Sequence, residues 1–334
     1  DSEFESFIKV WLTAVASLIY CQQIAGRIHG GAVRLIAVLP VVCLFLILPL
    51  RLSSVHLSGP TVFYLVWLAN FKLLLFAFDA GPLAGDPPLP LIQFVSIGLL
   101  PIKPLQKSPS RFDQKSPTGF QFLVKSLALV AIVWLYRYRE FLNPFLILIL
   151  YCGNVYLGVD LILAVTAAPV RALGFEIEPQ FDEPYLSTSL QDFWGRRWNL
   201  MVTGILRPSV YFPVRRLTSP YVGKKWGQRA AVLATFAVSG LMHELIYYYL
   251  TARARPTWEV TWFFLLHGVC LAVEGAVKTA VGDGGLRIPT AASRLLTVGF
   301  AVVTCGWLFF PQLTRNGVDA RAIEEYYRIA AWIK

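Results

Sequence analysis

Two adjacent ionisable residues, His243 and Glu244, lie in the stretch Ala230–Leu250, which has no other charged side chain. About twenty mostly apolar residues span a bilayer core, where a full charge costs roughly 2.5–3.5 kcal/mol or more. Helical residues three or four apart share a face, so Ser239 and Gly240 are expected to leave open volume beside the imidazole. Glu244 is turned about 100° away. The pattern predicts either a histidine bonded to a partner helix or a base in a membrane-embedded site.

The chemistry open to His243 is that of a single base. The zinc-hydrolase pattern HExxH is incomplete, because Tyr247 stands where the second histidine would be. The sequence also contains no nucleotide-binding glycine loop and no recognisable serine or cysteine nucleophile motif. An imidazole held away from water favours its neutral form, which suits removal of a proton from a hydroxyl group. We therefore expect neither a metal nor a cofactor.

A base that activates a hydroxyl group fits acyl transfer to an alcohol. The natural donor is a thioester such as acyl-CoA, because its thiol ionises near a cysteine's pKa of about 8.5 and leaves without a strong general acid. Acyl-CoA would then be a substrate, and its phosphates need cations. The region before Ala230 supplies them as Arg196, Arg197, Arg207, Arg215, Arg216, Lys224 and Lys225.

A second candidate region, SLQDFWGRRWNLMVTGIL, lies in the long loop Arg171–Arg229. Ser189 and Asp192 resemble a helix capping box, and Pro208 limits the far end. A continuous helix Leu190–Leu206 would carry one polar stripe, formed by Asp192, Arg196, Asn199 and Thr203. Its opposite face would carry Leu190, Trp194, Trp198, Met201 and Ile205.

Two interpretations of this segment stay open. It is either an amphipathic helix anchored at the membrane interface by its tryptophans or a re-entrant helix whose polar stripe faces a cavity. Asn199 in the middle of the stripe favours the second interpretation. In that arrangement Arg197, about 100° from the stripe, is expected to face lipid headgroups.

The composition predicts an all-α integral membrane protein. Of 334 residues, 56% are hydrophobic and 15% are charged, whereas soluble domains carry about 25% charged residues. No polar stretch is long enough to fold separately, so we expect a single domain, 1–334. The candidate membrane spans are Phe7–Ile24, Val33–Leu50, Thr61–Phe78, Gly119–Tyr138, Phe141–Val165, Ala230–Leu250, Trp258–Ala280 and Ser293–Phe310. Leu91–Leu100 is too short to cross and is expected either to lie at the interface or to re-enter the membrane.

The net charge of +10 is explained by the positive-inside bias of membrane proteins, so no nucleic-acid partner is expected. The bias places Arg171–Arg229 in the cytoplasm and both termini on the opposite side. The five cysteines form no CxxC pair and predict neither a disulfide framework nor a metal site.

Other polar residues inside the spans are expected to be mainly structural, because charges in spans usually pair. Lys72 and Asp79 are seven residues apart in the third span, and so are His267 and Glu274 in the seventh. The second pair is expected to bond internally or to Lys125 or Asp160. A role of His267 in positioning the site is the competing interpretation.

The sequence resembles the membrane-bound O-acyltransferase (MBOAT) superfamily, and most closely its plant wax synthase family, over essentially the whole chain. The motifs that carry the resemblance are NFKLLLFAFDAGPL (Asn70–Leu83), SLQDFWGRRWNLMV (Ser189–Val202), LRPSVYFPVR (Leu206–Arg215) and SGLMHEL (Ser239–Leu245). Thr203 departs from the diacylglycerol acyltransferases of the superfamily, which carry a histidine there. This departure favours a simple alcohol as acceptor.

The resemblance implies a bundle of about eight membrane helices with an internal tunnel, in the endoplasmic reticulum membrane. It implies a reaction in which long-chain acyl-CoA and a long-chain alcohol give a wax ester and free CoA. It also implies that His243 is the catalytic base and that Asn199 is the second catalytic residue. Membrane lipids are further expected partners. The residues expected to bind substrate are Asp192, Trp194, Arg196, Arg197, Trp198, Thr203, Ser239 and Glu244.

Two rival functions remain at the level of sequence. A sterol could replace the fatty alcohol as acceptor. From a different class, a lipid or proton-coupled transporter could use His243 and Glu244 as a proton relay. Transporters often contain repeated halves with matching broken helices, and no such repeat is found in this sequence.

Overall fold

The structure is a computed structural model that describes residues 2–102, 119–172, 180–281 and 288–333, and every regular element in these ranges is helical. Several helices change locally to the wider π-helical form. The helices are α1 (Glu3–Gln23), α2 (Ala32–Ile47), α3 (Val55–Ala77), α4 (Leu91–Leu99), α5 (Gly119–Leu135), α6 (Pro144–Ala172), α7 (Leu190–Asp192), α8 (Leu200–Leu206), α9 (Phe212–Leu250), α10 (Glu259–Val281), α11 (Thr290–Thr304), α12 (Pro311–Arg315) and α13 (Val318–Ile333).

Eight helices or merged helical segments in the described part are long and apolar enough to cross a membrane, which confirms the predicted all-α membrane protein. The third begins at Val55, six residues before the predicted start. The sixth is the C-terminal part of a longer helical run, Leu200–Leu250. Helix α4 has nine residues and is too short to span, as predicted.

The first four helices share one apolar core, which contains Leu18, Phe45, Leu73 and Phe94. Helices α1 and α4 approach so closely that a Cβ atom on Gly98 would lie 2.5 Å from Leu18 Cδ1. A larger residue at position 98 would therefore displace the side chain of Leu18.

Polar side chains in this part of the protein do not pair as predicted. Lys72 is fully buried and donates to the carbonyl oxygens of Ile97 (2.6 Å) and Leu100 (2.7 Å) at the end of α4. Asp79 instead accepts from Arg34, at 2.5 Å. The predicted Lys72–Asp79 pair is therefore wrong, because each side chain meets a different helix.

Helices α9 and α10 pack tightly along the C-terminal half of α9. A Cβ atom on Gly240 would lie 2.9 Å from Thr261 Cα. Gly240 thus allows close packing of the two backbones, and the prediction that it leaves open volume beside the imidazole is wrong. The position of His243 is fixed by this contact, which lies less than one turn away.

Three π-helical segments each contribute an aromatic ring to the region around His243. They are Val62–Ala69 within α3, Phe193–Arg197 after α7 and Cys305–Phe309 after α11. Such wider turns are rare and occur frequently at functional sites. A fourth, Arg207–Tyr211, connects α8 with α9.

The predicted continuous helix Leu190–Leu206 is broken at two residues. Trp198 is extended (φ −98°, ψ 120°) and Asn199 is left-handed (φ 43°, ψ 66°). The backbone groups freed at the break bond to a neighbouring segment, since Asp182 N donates to Arg197 O and Leu200 N donates to Gln180 O, both at 2.9 Å. The predicted stripe of Asp192, Arg196, Asn199 and Thr203 therefore does not form.

Candidate active site

His243 has one ring nitrogen in use and one free. Its Nδ1 lies 2.8 Å from the carbonyl oxygen of Ser239, one turn earlier in α9. Because a carbonyl only accepts hydrogen bonds, the neutral imidazole carries its hydrogen on Nδ1 and its lone pair on Nε2. No described residue bonds to Nε2. The structure thus presents Nε2 as an available base.

The walls around this imidazole are aromatic. The ring centroids of Phe264, Trp67 and Phe309 lie 4.3, 5.2 and 5.7 Å from that of His243. The rings come from α10, α3 and the π segment after α11, so three elements surround the half-buried imidazole with aromatic rings, here called the aromatic chamber. Such apolar rings limit the access of water, which strengthens the interactions of polar groups between them.

One of these walls contains an unpaired donor. Trp67 is 2% exposed, and its buried Nε1–H has no hydrogen-bond partner among the described residues. The indole N–H groups of Trp11 and Trp194, by contrast, donate to Thr61 Oγ1 (3.3 Å) and His267 Nδ1 (3.0 Å). An unsatisfied buried donor costs about 1–3 kcal/mol.

Glu244 faces away from the imidazole and joins α9 to α10. It is 5% exposed, and its Oε1 accepts from the backbone nitrogen (3.3 Å) and hydroxyl (3.2 Å) of Thr261. No hydrogen bond connects its carboxylate with His243 in the described structure. Its geometry is therefore that of a helix–helix contact.

Asn199 caps helix α8 from its left-handed conformation. Its Oδ1 accepts from Val202 N at 3.3 Å, which fixes the orientation of the amide group. The side-chain NH₂ is left without a protein partner in the described ranges, and two donors are thus free. The cap explains an asparagine here physically, since asparagine tolerates this backbone conformation and supplies the capping oxygen.

An ion pair closes the loop that holds Asn199. Arg197 Nε donates to Asp192 Oδ2 at 2.9 Å, and its Nη1 donates to the carbonyl of Asp182 at 3.0 Å. The expectation that Arg197 faces lipid headgroups is therefore wrong. Ser189 caps α7 as predicted, because its hydroxyl accepts from Asp192 N at 3.1 Å.

Helix α10 holds the same segment at two points. His267 is fully buried; its Nδ1 accepts from Trp194 Nε1, and its Nε2–H donates to Thr304 Oγ1 at 2.9 Å. Glu274 accepts from Leu190 N at 2.9 Å and also pairs with Lys278. The prediction that His267 and Glu274 bond to each other, or to Lys125 or Asp160, is therefore wrong.

Lys125 and Asp160 bond to each other instead, at 2.5 Å, between α5 and α6. Both nitrogens of His267 are satisfied, so the geometry supports the positioning role that the sequence left open for it. His267 is connected to the aromatic chamber by Trp194. Trp194 bonds to His267, and its ring centroid lies 5.8 Å from that of Phe264, which packs against His243.

The remaining predicted substrate residues differ in their surroundings. Trp198 stacks on Phe193, with ring centroids 5.4 Å apart and an interplanar angle of 14°. Thr203 Oγ1 donates to Trp194 O at 3.5 Å, which ties α8 to the preceding turn. Arg196 is exposed and has no described partner.

A cleft with a volume of about 390 Å³ lies where α9 begins, and it is lined by Phe212, Arg215, Arg216, Ser219 and Lys224. Gly223 (φ 81°) breaks the helix beside it, a conformation that favours glycine. The Ser219 hydroxyl is buried and has no described partner. The cleft thus combines three cations with a free hydroxyl group.

The structure therefore brings some predicted site residues together and separates others. Trp194 and His243 both pack against Phe264. Glu244 instead bonds to Thr261, and Arg197 bonds to Asp192. The sequence analysis missed Trp67, Phe264 and Phe309. Only Trp67 offered a signal, since a tryptophan in the middle of a span needs a partner for its N–H group.

Comparisons with known proteins identify the family to which the chain belongs. Residues 177–266, which include Asn199 and His243, match the membrane bound O-acyl transferase family. A long-chain-alcohol O-fatty-acyltransferase of Simmondsia chinensis is 52% identical over 98% of this chain and 94% of its own length. Two proteins of Arabidopsis thaliana are each 46% identical. These are a probable long-chain-alcohol O-fatty-acyltransferase (100% of this chain, 97% of its own length) and an acyl-CoA–sterol O-acyltransferase (98% and 96%).

These matches cover nearly the whole chain and nearly the whole of each relative. The helical bundle, the polar segment around Asn199 and the membrane-embedded His243 all lie within the matched region. The chain therefore belongs to the membrane-bound O-acyltransferase family and, within it, to the wax synthase family.

Proposed function

We propose that this protein transfers the acyl group of a long-chain acyl-CoA to the hydroxyl group of a long-chain alcohol, which yields a wax ester and free CoA. The observation that carries the proposal is the free lone pair on His243 Nε2 inside an aromatic chamber of the membrane bundle. The relatives' activities support the choice of substrates.

In this mechanism His243 is the only base. Nε2 takes the proton of the alcohol while the alcohol oxygen adds to the thioester carbonyl carbon, whose π electrons move to oxygen. The tetrahedral intermediate then collapses, the carbon–sulfur bond breaks, and the thiolate leaves. The proton on Nε2 passes to that thiolate, which restores the neutral imidazole and gives CoA. The bond from Nδ1 to the Ser239 carbonyl orients the ring throughout and stabilises the transient imidazolium.

The phosphates of acyl-CoA are assigned to the basic region before the sixth span. Along α9, Lys224 and His243 are 19 residues apart, or about 28 Å at 1.5 Å per residue. The extended pantetheine arm and the nucleotide of CoA would cover this distance. Arg215, Arg216 and Lys224 line the cleft at the far end, and exposed Arg196 is free to join them.

The role of Arg196 is open to a direct test. Arg196→Ala should raise KM for acyl-CoA several-fold and leave KM for the alcohol unchanged, because an exposed phosphate contact contributes to one substrate only. The KM of the wild type for acyl-CoA should also rise with salt between about 50 and 300 mM. If the Arg196→Ala enzyme has an unchanged KM for acyl-CoA at every salt concentration, Arg196 does not bind the phosphates of acyl-CoA.

The acceptor is the point on which the relatives differ. One of them acts on sterols, so a sterol is the second candidate acceptor. The test uses purified protein with acyl-CoA and an equimolar mixture of a long-chain alcohol, a sterol and a diacylglycerol, with free thiol and ester products measured. Preferential wax ester formation is expected. Sterol ester as the only ester product would replace the proposed acceptor, and a mixture that yields no free thiol would contradict the function.

Further parts of the proposal concern the surroundings of the reaction. We place the enzyme in the endoplasmic reticulum membrane with surrounding lipids as partners, and we assign it neither metal nor cofactor. A fluorescent fusion that fails to overlap with a reticulum marker would contradict the location. Turnover that disappears on dialysis against a strong chelator and returns with a divalent cation would contradict the metal-free reaction.

A further inference from the structure

The unpaired indole N–H of Trp67 is the starting point of a further assignment. Trp67 lies in the π-helical part of α3, and its ring meets that of His243 at 5.2 Å and an interplanar angle of 81°. Its Nε1 is buried without a described partner. Buried polar groups are nearly always bonded, so an exception beside a reactive base requires an explanation.

Two other tryptophans show that this chain does satisfy such groups elsewhere. Trp11 Nε1 donates to Thr61 Oγ1 at 3.3 Å, and Trp194 Nε1 donates to His267 Nδ1 at 3.0 Å. Both bonds are made within the protein, to side chains on neighbouring helices. Of these three indoles, the one beside His243 alone lacks a partner.

We propose that Trp67 Nε1–H is a catalytic donor that bonds to the carbonyl oxygen of the acyl thioester as negative charge develops on it. The proposal rests on the proposed function. The reacting carbonyl carbon must come within about 3–3.5 Å of the alcohol oxygen that His243 Nε2 deprotonates. Its oxygen therefore lies in the shell of side chains around the imidazole, of which Trp67 is a part.

The chemistry of the step needs such a donor. When the alcohol oxygen adds to the carbonyl carbon, the carbonyl π electrons move to oxygen, and the charge must be stabilised in a chamber of aromatic rings. The bond from Trp67 strengthens as this charge grows and weakens when the carbonyl re-forms. A donor that acts mainly in the transition state raises kcat and leaves substrate affinity nearly unchanged.

The test compares Trp67→Phe with the matched control Trp11→Phe in purified protein. Trp67→Phe should lower kcat about 100-fold with little change in KM, because one oxyanion donor is lost. Trp11→Phe should keep its kcat and lower the thermal midpoint, because it breaks a bond within the protein. Replacement of Trp67 by benzothienylalanine, which keeps the bicyclic ring without the N–H, serves if the phenylalanine variant does not fold.

A second substrate separates hydrogen bonding from packing. The acyl dithioester of CoA carries sulfur in place of the carbonyl oxygen, and sulfur accepts hydrogen bonds weakly. Loss of the Trp67 donor should therefore reduce kcat for the dithioester much less than for the normal thioester. Equal losses on both substrates, or more than half of the normal kcat in the variant, would overturn the assignment. A wild-type protein that releases no CoA would instead refute the proposed function itself.

Discussion

Two histidines of this protein have a glutamate as a neighbour. His243 has one next to it in the sequence, and His56 contacts one in the folded structure. His243 and Glu244 are consecutive, yet the carboxylate bonds to Thr261 on α10 and the imidazole faces aromatic rings. His56 and Glu325 are 269 residues apart in the sequence, yet His56 Nδ1 lies 2.6 Å from Glu325 Oε2. We therefore expect His56, which has a carboxylate partner, to serve the structure, and His243, which has none, to be available as a base.

The largest effect should come from removing the free base. His243→Ala should fold normally and lose about 10²–10⁴-fold in turnover, which is the usual loss for a general base. The measurement is the initial rate of CoA release from acyl-CoA and a long-chain alcohol. A folded variant with more than half of the wild-type rate would break the comparison, because His243 would then be as structural as His56.

The paired glutamate should act on stability. Although burial works to raise the pKa of Glu325, hydrogen bonds from His56, Val55 and Ser54 lower it to about 2. The corresponding stabilisation is present above the unfolded value of about 4.3 and is lost as the pH falls toward 2. Glu325→Gln should therefore lower the thermal midpoint at neutral pH, because the amide lacks the charge that these hydrogen bonds stabilise.

The pH dependence makes this expectation specific. The difference in thermal midpoint between wild type and Glu325→Gln should shrink as the pH is lowered from about 5 to 2, because the wild-type carboxylate is then protonated. Turnover at neutral pH should be the same for both proteins. A difference in midpoint that stays constant over this range would show that the charge of Glu325 contributes nothing.

Asn199 has two polar groups that can be tested separately: its oxygen caps α8, and its free NH₂ group is expected to bond to the thioester carbonyl or to the pantetheine amides of acyl-CoA. Asn199→Asp keeps the oxygen that caps α8 and removes the amide donors, so turnover should fall by about 10–100-fold while the fold is retained. Met201→Ala, in the apolar core two residues later, should instead cost about 2–5 kcal/mol of stability and leave the turnover of the folded fraction nearly intact. Similar, mild effects of both changes would show that Asn199 is only a cap.

The smallest effect is expected at the second half of the HE pair. Glu244→Gln keeps the oxygen that bonds Thr261, so we expect turnover within about threefold of the wild type, because no proton passes through this carboxylate. The measurement is the same CoA release assay, with Glu244→Leu as a control for the contact between α9 and α10. A loss as large as that of His243→Ala would show that the pair acts together.

The membrane spans could be predicted well from the sequence, because an apolar segment of about twenty residues has the length and composition needed to cross a bilayer. The sequence also placed Ser239 and His243 one turn apart in a helix, and both lie in α9. The break at Trp198 and Asn199 could not be predicted in this way. The helical period continues through both residues, and the break depends on backbone bonds to residues 180 and 182.

Partners of buried polar groups were also hard to predict. Helical spacing pairs Lys72 with Asp79, but the actual partners are carbonyl groups of α4 and Arg34 of α2. Such contacts depend on how helices are arranged, which a periodic pattern within one helix does not contain. The same limit explains why Phe264 and Phe309 were missed around His243, since aromatic residues occur throughout the spans.

In the proposed mechanism, His243 removes a proton and never carries the acyl group. This can be tested by mixing a stoichiometric amount of purified enzyme with acyl-CoA in the absence of any alcohol and following free thiol on the millisecond scale. A lone base gives no thiol until alcohol is added, and release then proceeds at the steady-state rate. A burst of thiol equal to the enzyme concentration before alcohol is added would reveal an acyl-enzyme and would contradict this account.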